Sequence, residues 1–292
     1  MRLGLCLVLG ITLCVGVAPM ATAQQDHDVS TEWFISANGT DTLGCDLFLP
    51  HEAIHPGWGV VFMHGGGFFT GSRDGAANQA YCAALAARGI AVMSIDYRLR
   101  QVGQGFHCDI SILDKREAIR WAAEDLVAAI DAFGARFPAG IIAAGSSAGA
   151  EAVLDAVYAM PQSSLKAAIS LAGGVEPPQV WRDTPVLAVH GTCDALVPYC
   201  IDLHHYCPAE SAGALLLAGG GGLATEGANL ELYAIQYAGH ELSTSMLTDP
   251  FFIERSVDFI NSVVTRTFES NSTTIPLYRP CNLSQHPDPS CQ

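Results

Sequence analysis

Short apolar runs alternate with helical patterns along most of the chain. Residues 43–49 alternate apolar and polar positions, the two-residue period of a half-buried strand. Residues 59–63 form an apolar run closed by glycines, which predicts a buried strand. A helical pattern over 78–88 stops at Gly89, and 90–95 reads as the next strand. The longest helical pattern covers 115–137. It puts Ile119, Ala122, Leu126, Ile130, Phe133 and Phe137 on one face, with Asp114 placed to cap it. A strand over 141–144 and a helix over 148–160 follow. Three more strands are expected at 167–171, 186–190 and 232–237, and an amphipathic helix over 254–265 closes the pattern. This order predicts an α/β fold, a mostly parallel sheet with helices on both faces. In such sheets the reactive groups sit beyond the carboxyl ends of the strands.

Composition narrows the classes. Half of the 292 residues are hydrophobic and 15% are charged, which supports a folded core and argues against disorder. The formal charge of −15 repels nucleic-acid phosphates and anionic membrane surfaces, so neither is an expected partner. Arg2, the apolar run 3–17 and Ala21-Thr22-Ala23 read as an export signal cut before Gln24. That run is short for a membrane span, and no later segment is apolar enough for one. The expected organisation is a leader at 1–23 and a single α/β domain over 24–292. It ends in a Cys- and Pro-rich tail from about 269, in a protein secreted to the medium or to a periplasm.

Of the ten cysteines, Cys6 and Cys14 leave with the leader, so eight remain. An even set in an exported chain predicts disulfides, among about 105 pairings. Cys281 and Cys291 are near enough in sequence to clip the tail together. Two of Cys193, Cys200 and Cys207 are candidates to pair near the acidic loop described next. A zinc site with His204 and His205 is the alternative there, but the spacing is not that of a C-x₂₋₄-C site. The run of four glycines at 219–222 precedes no Gly-Lys-Ser/Thr and reads as a flexible surface loop, not a phosphate cradle.

The chemistry lies in two motifs and two loops. Gly145-Ser146-Ser147-Ala148-Gly149 joins a predicted strand to a predicted helix, the context of a nucleophile elbow. The turn is tight enough to demand small neighbours, and Ser147 is the exposed hydroxyl. A serine needs a base, and the base needs a carboxylate to hold its tautomer. Asp194 follows the 186–190 strand, and His240 follows the last strand after Gly239. That is the chain order Ser, Asp, His. Asp202 is the competing acid, but it lies farther from its strand end. His190 is expected to pack or bond locally, His204 and His205 lack a preceding strand, and Glu241 is expected to face away. His64-Gly65-Gly66-Gly67-Phe68 follows the 59–63 strand directly. Its glycines offer backbone N–H donors to an oxyanion. Gly66 and Gly67 are assigned with the N–H of Ala148, and Gly65 stays an open candidate.

From His64 to Phe68, through Asp96-Tyr97-Arg98 and Gly145 to Gly149, to Asp194 and His240, the chain resembles the α/β-hydrolase superfamily. Within it, the likeness is to HGGG-type carboxylesterases related to hormone-sensitive lipase and the bacterial feruloyl-esterase-like group. The resemblance runs from about residue 43 to 265. It implies an α/β-hydrolase fold with an eight-stranded core, the Ser147, Asp194 and His240 triad and no cofactor; on spacing and compartment, no metal is expected either. It also implies a chiefly structural role for Asp96-Tyr97-Arg98. The segment before His64 is too short for the helical cap of hormone-sensitive lipase relatives. The cysteine content is high for the group, and the tail has no counterpart in it. Asn38, Asn271 and Asn282 stand in glycosylation sequons, which matter in a eukaryotic source.

The leading expectation is a serine esterase acting through an acyl-enzyme on small-molecule or polysaccharide-linked esters. A peptidase or amidase on the same triad is the alternative, as is a non-catalytic binding protein. No amphipathic lid helix precedes His64, and 98–114 is too polar for a lipid-facing lid. Short-chain, sugar or phenolic esters are therefore the expected substrates.

Overall fold

The computed structural model describes residues 26–160, 164–177, 180–276 and 291. The expected leader, Cys281 and Asn282 lie outside the described residues. The chain enters through an antiparallel pair, β1 (His27–Ile35) and β2 (Thr42–Pro50). Then come β3 (Trp58–Met63), α1 (Ala76–Ala86), β4 (Val92–Ile95), α2 (Ile112–Phe133), β5 (Gly140–Ser146), α3 (Ala148–Ala159), β6 (Leu165–Leu171) and β7 (Val186–Gly191). A ribbon of β8 (Ile201–Leu203) and β9 (Leu216–Ala218) follows, then α4 (Gly220–Thr225) and β10 (Leu230–Ile235). The chain closes with α5 (Leu242–Ser245), α6 (Pro250–Thr265) and β11 (Asn271–Ile275).

The main sheet has nine strands in the order β1-β2-β4-β3-β5-β6-β7-β10-β11, parallel from β4 to β11. Eight strands were expected; β1 and β11 are the edges. β11 comes from the polar tail, and four of its five residues are exposed, so no hydrophobic alternation marked it. One core packs α2, α3 and α4 on one face of the sheet. The other packs α1 and α6, tied by the Tyr81 hydroxyl donating to Ser256 Oγ at 2.8 Å. Among the described residues, no helix is long and apolar enough to cross a membrane.

Helix boundaries differ from the pattern reading. α1 lies two residues earlier than expected. Ser111, not Asp114, caps α2: its hydroxyl accepts the Asp114 N–H, and the Asp114 carboxylate accepts the Ser111 hydroxyl in return. The S-x-x-acid spacing is that of helix starts, with the acid here held by the cap's hydroxyl rather than its backbone N–H. α2 ends at Gly134, and Phe137 is buried beyond it. α6 begins four residues early, because Asp249 caps it and Pro250 fits the first turn.

The four-glycine run is not a surface loop. Gly220, Gly221 and Gly222 open α4 and are buried. A Cβ on Gly219 would stand 2.0 Å from Pro198 O, so the run lets a helix lie directly on the 198–201 backbone.

The disulfides also depart from expectation. Cys108 bonds Cys207, and Cys200 bonds Cys291, across 99 and 91 residues of sequence. Cys193 is disulfide-bonded as well. The expected Cys281–Cys291 clip is therefore absent, and Cys200 and Cys207 are unavailable to zinc or to each other. Closing loops this long contributes about 4–5 kcal/mol each in the chain-entropy model. Cys45 and Cys82 remain thiols and are buried. Burial, with the charges of Asp46 and Glu32, pushes Cys45 up to about 12, and burial raises Cys82 as well. Iodoacetamide at pH 8 should leave both unmodified in the native protein and label both after unfolding without reductant. Peptide mapping should find Cys108 and Cys207 labelled only after reduction; labelling before it would remove that bond.

Candidate active site

β5 delivers the chain into the elbow. Ser147 has φ 52° and ψ −123°, a left-handed conformation costly for a side-chain-bearing residue and found where surroundings over-determine it. Its N–H donates to Leu171 O at 2.9 Å, which ties the turn to the end of β6. A Cβ on Gly149 would stand 2.3 Å from Met63 O, so α3 approaches β3 only because that position is bare. Ser146 points away and donates to the Ser243 carbonyl.

Two loops meet this hydroxyl. Ser147 Oγ lies 2.7 Å from His240 Nε2, and His240 Nδ1 lies 2.7 Å from Asp194 Oδ2. Asp194 is fully buried at the end of β7. Its Oδ1 accepts the N–H groups of Leu196 and Val197, each at 2.9 Å. A second histidine serves the same carboxylate: His190 Nε2 stands 3.4 Å from Oδ2. His190 Nδ1 accepts the Gly220 N–H at 3.1 Å, so the ring proton sits on Nε2, facing Asp194 and Val197 O. Burial alone would raise the Asp194 carboxyl. Hydrogen bonds from His190 and His240 overcome it and hold the group far below the ordinary carboxylate range. The expectation that His190 bonds locally understated it, and the four-glycine run is what lets α4 reach it.

Asp202 lies in β8, where its Oδ1 accepts the Leu203 N–H at 2.7 Å. Glu241 is exposed and accepts the Gly239 N–H at 3.0 Å.

The glycine segment after β3 turns sharply. Gly66 and Gly67 have φ of 124° and 60°, and a Cβ on Gly66 would lie 2.0 Å from Thr70 O. Among the described residues, the N–H groups of Gly66, Gly67 and Ala148 donate to no backbone carbonyl. All three residues line one cleft of about 670 Å³ with Gly65, Ser147 and His240. Asp96-Tyr97-Arg98 props this loop. The Tyr97 hydroxyl donates to His64 O at 2.8 Å and the two rings stack at 4.4 Å. Asp96 pairs with Arg73 at 2.6 Å and Arg98 with buried Asp125 at 2.9 Å.

Residues not read as site residues complete the cleft. Phe106 and His107 come from the 98–114 stretch, which the Cys108–Cys207 bond pins beside His204 and His205. Glu151, on α3, lines the same cleft and is 2% exposed. Local spacing carried no signal for them, because they meet only through the disulfide and the helix packing. Among the described residues, no group of three or more His, Cys, Asp or Glu is placed to hold a metal.

Burial pushes Glu151 up to about 8, with the Lys115 charge pulling down and the Asp194 charge adding to the rise. A carboxyl raised on folding binds its proton more tightly in the native state. Stability should therefore fall as pH climbs from the unfolded carboxylate value of about 4.3 toward 8, then level off. The shift corresponds to on the order of 5 kcal/mol. Thermal melts of Glu151→Gln should lose that slope relative to the parent. Parallel curves from pH 5 to 8 would place the Glu151 charge in water.

Residues 45–170 match the BD-FAE family model, an α/β-hydrolase family. No curated protein matches the chain. Solved structures share its fold. A truncated carbohydrate esterase from gut microbiota is 15% identical, with a TM-score of 0.55 over 83% of this chain and 99% of that one. Brefeldin A esterase, described as a bacterial homologue of human hormone sensitive lipase, is 16% identical, with a TM-score of 0.54 over 89% and 81%. A Mycobacterium tuberculosis puromycin-hydrolysing peptidase is 19% identical, with a TM-score of 0.53 over 89% and 42%. The chain has the α/β-hydrolase fold of these structures, and the segment that matches the BD-FAE model holds the glycine loop and the elbow.

Proposed function

We propose that this protein is a serine esterase that cleaves carboxylic esters through an acyl-enzyme. The observation that carries the reading is the continuous Ser147–His240–Asp194 hydrogen-bond chain opening on a cleft lined by free N–H donors. Ser147 Oγ attacks the ester carbonyl while His240 Nε2 takes its proton. The N–H groups of Gly66, Gly67 and Ala148 stabilise the oxyanion. Collapse breaks the carbonyl–alkoxide bond, and His240 returns the proton to the leaving alcohol. Water then repeats the sequence on the acyl-Ser147 and releases the acid. Asp194 keeps the His240 proton on Nδ1 and stabilises the imidazolium. Export of the protein is supported by its disulfides, since such bonds persist in oxidising compartments.

Short-chain, sugar or phenolic esters suit this cleft. The described residues before His64 form β1, β2 and β3 rather than a helical lid. The 98–114 stretch is pinned by a disulfide rather than hinged. A long acyl chain would leave methylenes in water, forgoing about 0.8 kcal/mol for each. On a series of nitrophenyl esters, kcat/KM should peak at short acyl groups, with no jump when the substrate forms an emulsion. A steady rise to long chains, with interfacial activation, would show an acyl tunnel instead. Peptidase or amidase chemistry would use the same triad, so aminoacyl nitroanilides belong in the panel. Their cleavage at rates matching the esters would favour that reading.

A further inference from the structure

One polar cluster in the cleft has no part in the proposed triad. Glu151 sits one helical turn beyond Ser147, its N–H donating to Ser147 O at 3.0 Å. Its Oε1 stands 3.7 Å from His204 Nε2, beyond hydrogen-bond range. Glu151 Oε2 and His204 Nδ1 have no hydrogen-bond partner, and both side chains are at least 97% buried. Unmatched buried polar atoms are uncommon in folded proteins, and both residues line the cleft, so the pair is placed to receive a polar group of a bound ligand.

The surroundings select that ligand. Phe106 packs edge-on against His204 at 5.0 Å, and His205 stacks on it at 4.1 Å. Phe68, Phe69, Leu196, Val197 and Leu247 make the rest of the cleft largely apolar. An ammonium group would face Lys115, whose Nζ is buried and donates to Gly213 O at 2.8 Å. The Lys115 and Asp194 charges both reach this cluster and act in opposite senses, so neither sign of ion recovers from them what burial costs it. A methyl group would leave both polar atoms unmatched. Burial also lowers His204 and raises Glu151, so both are largely neutral near pH 7. A neutral group that both donates and accepts suits the pair.

We propose that Glu151 and His204 form a hydroxyl-binding subsite that selects esters carrying a hydroxyl group close to the scissile carbonyl. One turn of helix, about 5.4 Å, separates Glu151 from Ser147. The hydroxyl therefore lies within a few bonds of the carbonyl, on the acyl or the alcohol half. The proposal rests on the esterase reading for its kinetic test but not for its binding test.

Ethyl butyrate is the reference substrate. Ethyl 3-hydroxybutyrate places the hydroxyl on the acyl half, and 2-hydroxyethyl butyrate places it on the alcohol half. The hydroxylated member of one pair should have a kcat/KM roughly 10–100-fold above the reference, because the reference leaves buried polar groups unsatisfied. In His204→Phe and in Glu151→Met that ratio should fall to near one. His204→Phe keeps the packing on Phe106, so the test survives if Glu151→Met does not fold. Ratios near one for both pairs in the parent enzyme, or ratios unchanged in a folded variant, would overturn the subsite. Calorimetric titration of Ser147→Ala with the same three esters separates the two readings. A preference for a hydroxylated ester there supports the subsite even without turnover, and equal binding of all three overturns it.

Discussion

Ser147→Ala is expected to lower kcat for ester hydrolysis by on the order of 10⁶, the scale seen when a serine triad loses its nucleophile. The oxyanion donors and the cleft stay in place, so substrate should still bind. The fold should survive as well. The elbow is held by backbone contacts, the Ser147 N–H on Leu171 O and the bare Gly149 against β3, and none involves the hydroxyl. A fluorophosphonate probe should label the parent at Ser147 and leave the variant unlabelled. Mass spectrometry of the labelled peptide and initial rates on nitrophenyl acetate check both outcomes. A variant with parental turnover would remove Ser147 from the mechanism. A parent that neither turns over nor labels would make the protein a binding module on a hydrolase fold.

Asp194→Asn should cost about 10⁴ in kcat with little change in KM, and the reason lies in the atoms around the carboxylate. Oδ1 accepts two backbone N–H groups, from Leu196 and Val197. An asparagine must leave its oxygen there, so its amide NH₂ faces His240 Nδ1 and His190 Nε2. His240 Nδ1 then has to accept, its proton moves to Nε2, and Nε2 can no longer take the Ser147 proton. Loss should persist across the pH range, because it is a tautomer error rather than a displaced titration. Asp202→Asn should stay within about twofold of the parent, since that carboxylate only caps its own strand. A crippled Asp202→Asn beside a mild Asp194→Asn would reassign the acid. His190→Gln should fall between them, as it removes one of the donors on Oδ2 while leaving the His240 contact.

Local signals made much of the architecture readable. A strand or helix is written in the spacing of apolar residues over one or two turns. The predicted strands and helices therefore all appear, with shifts at their ends. Two of those shifts, at Ser111 and at Asp249-Pro250, carried local capping signals that the hydrophobic pattern did not weigh. The elbow and the glycine loop were readable for a related reason. Each is a backbone requirement met within about five consecutive residues: small neighbours around Ser147 and bare Cα positions at Gly66 and Gly67.

By itself, then, the sequence determined an α/β fold with Ser147, Asp194 and His240 each at a strand end. The tertiary structure alone decided what spans the fold. It brought the Ser147, His240 and Asp194 side chains into contact across 93 and 46 residues of sequence. It paired Cys108 with Cys207 and Cys200 with Cys291, where sequence proximity had favoured nearer partners. It turned a glycine run into a buried helix against His190 and set Glu151 beside His204. A pairing between distant segments depends on which loops the sheet order brings together. That order follows from the packing energy of the whole core, to which no single window of sequence has access.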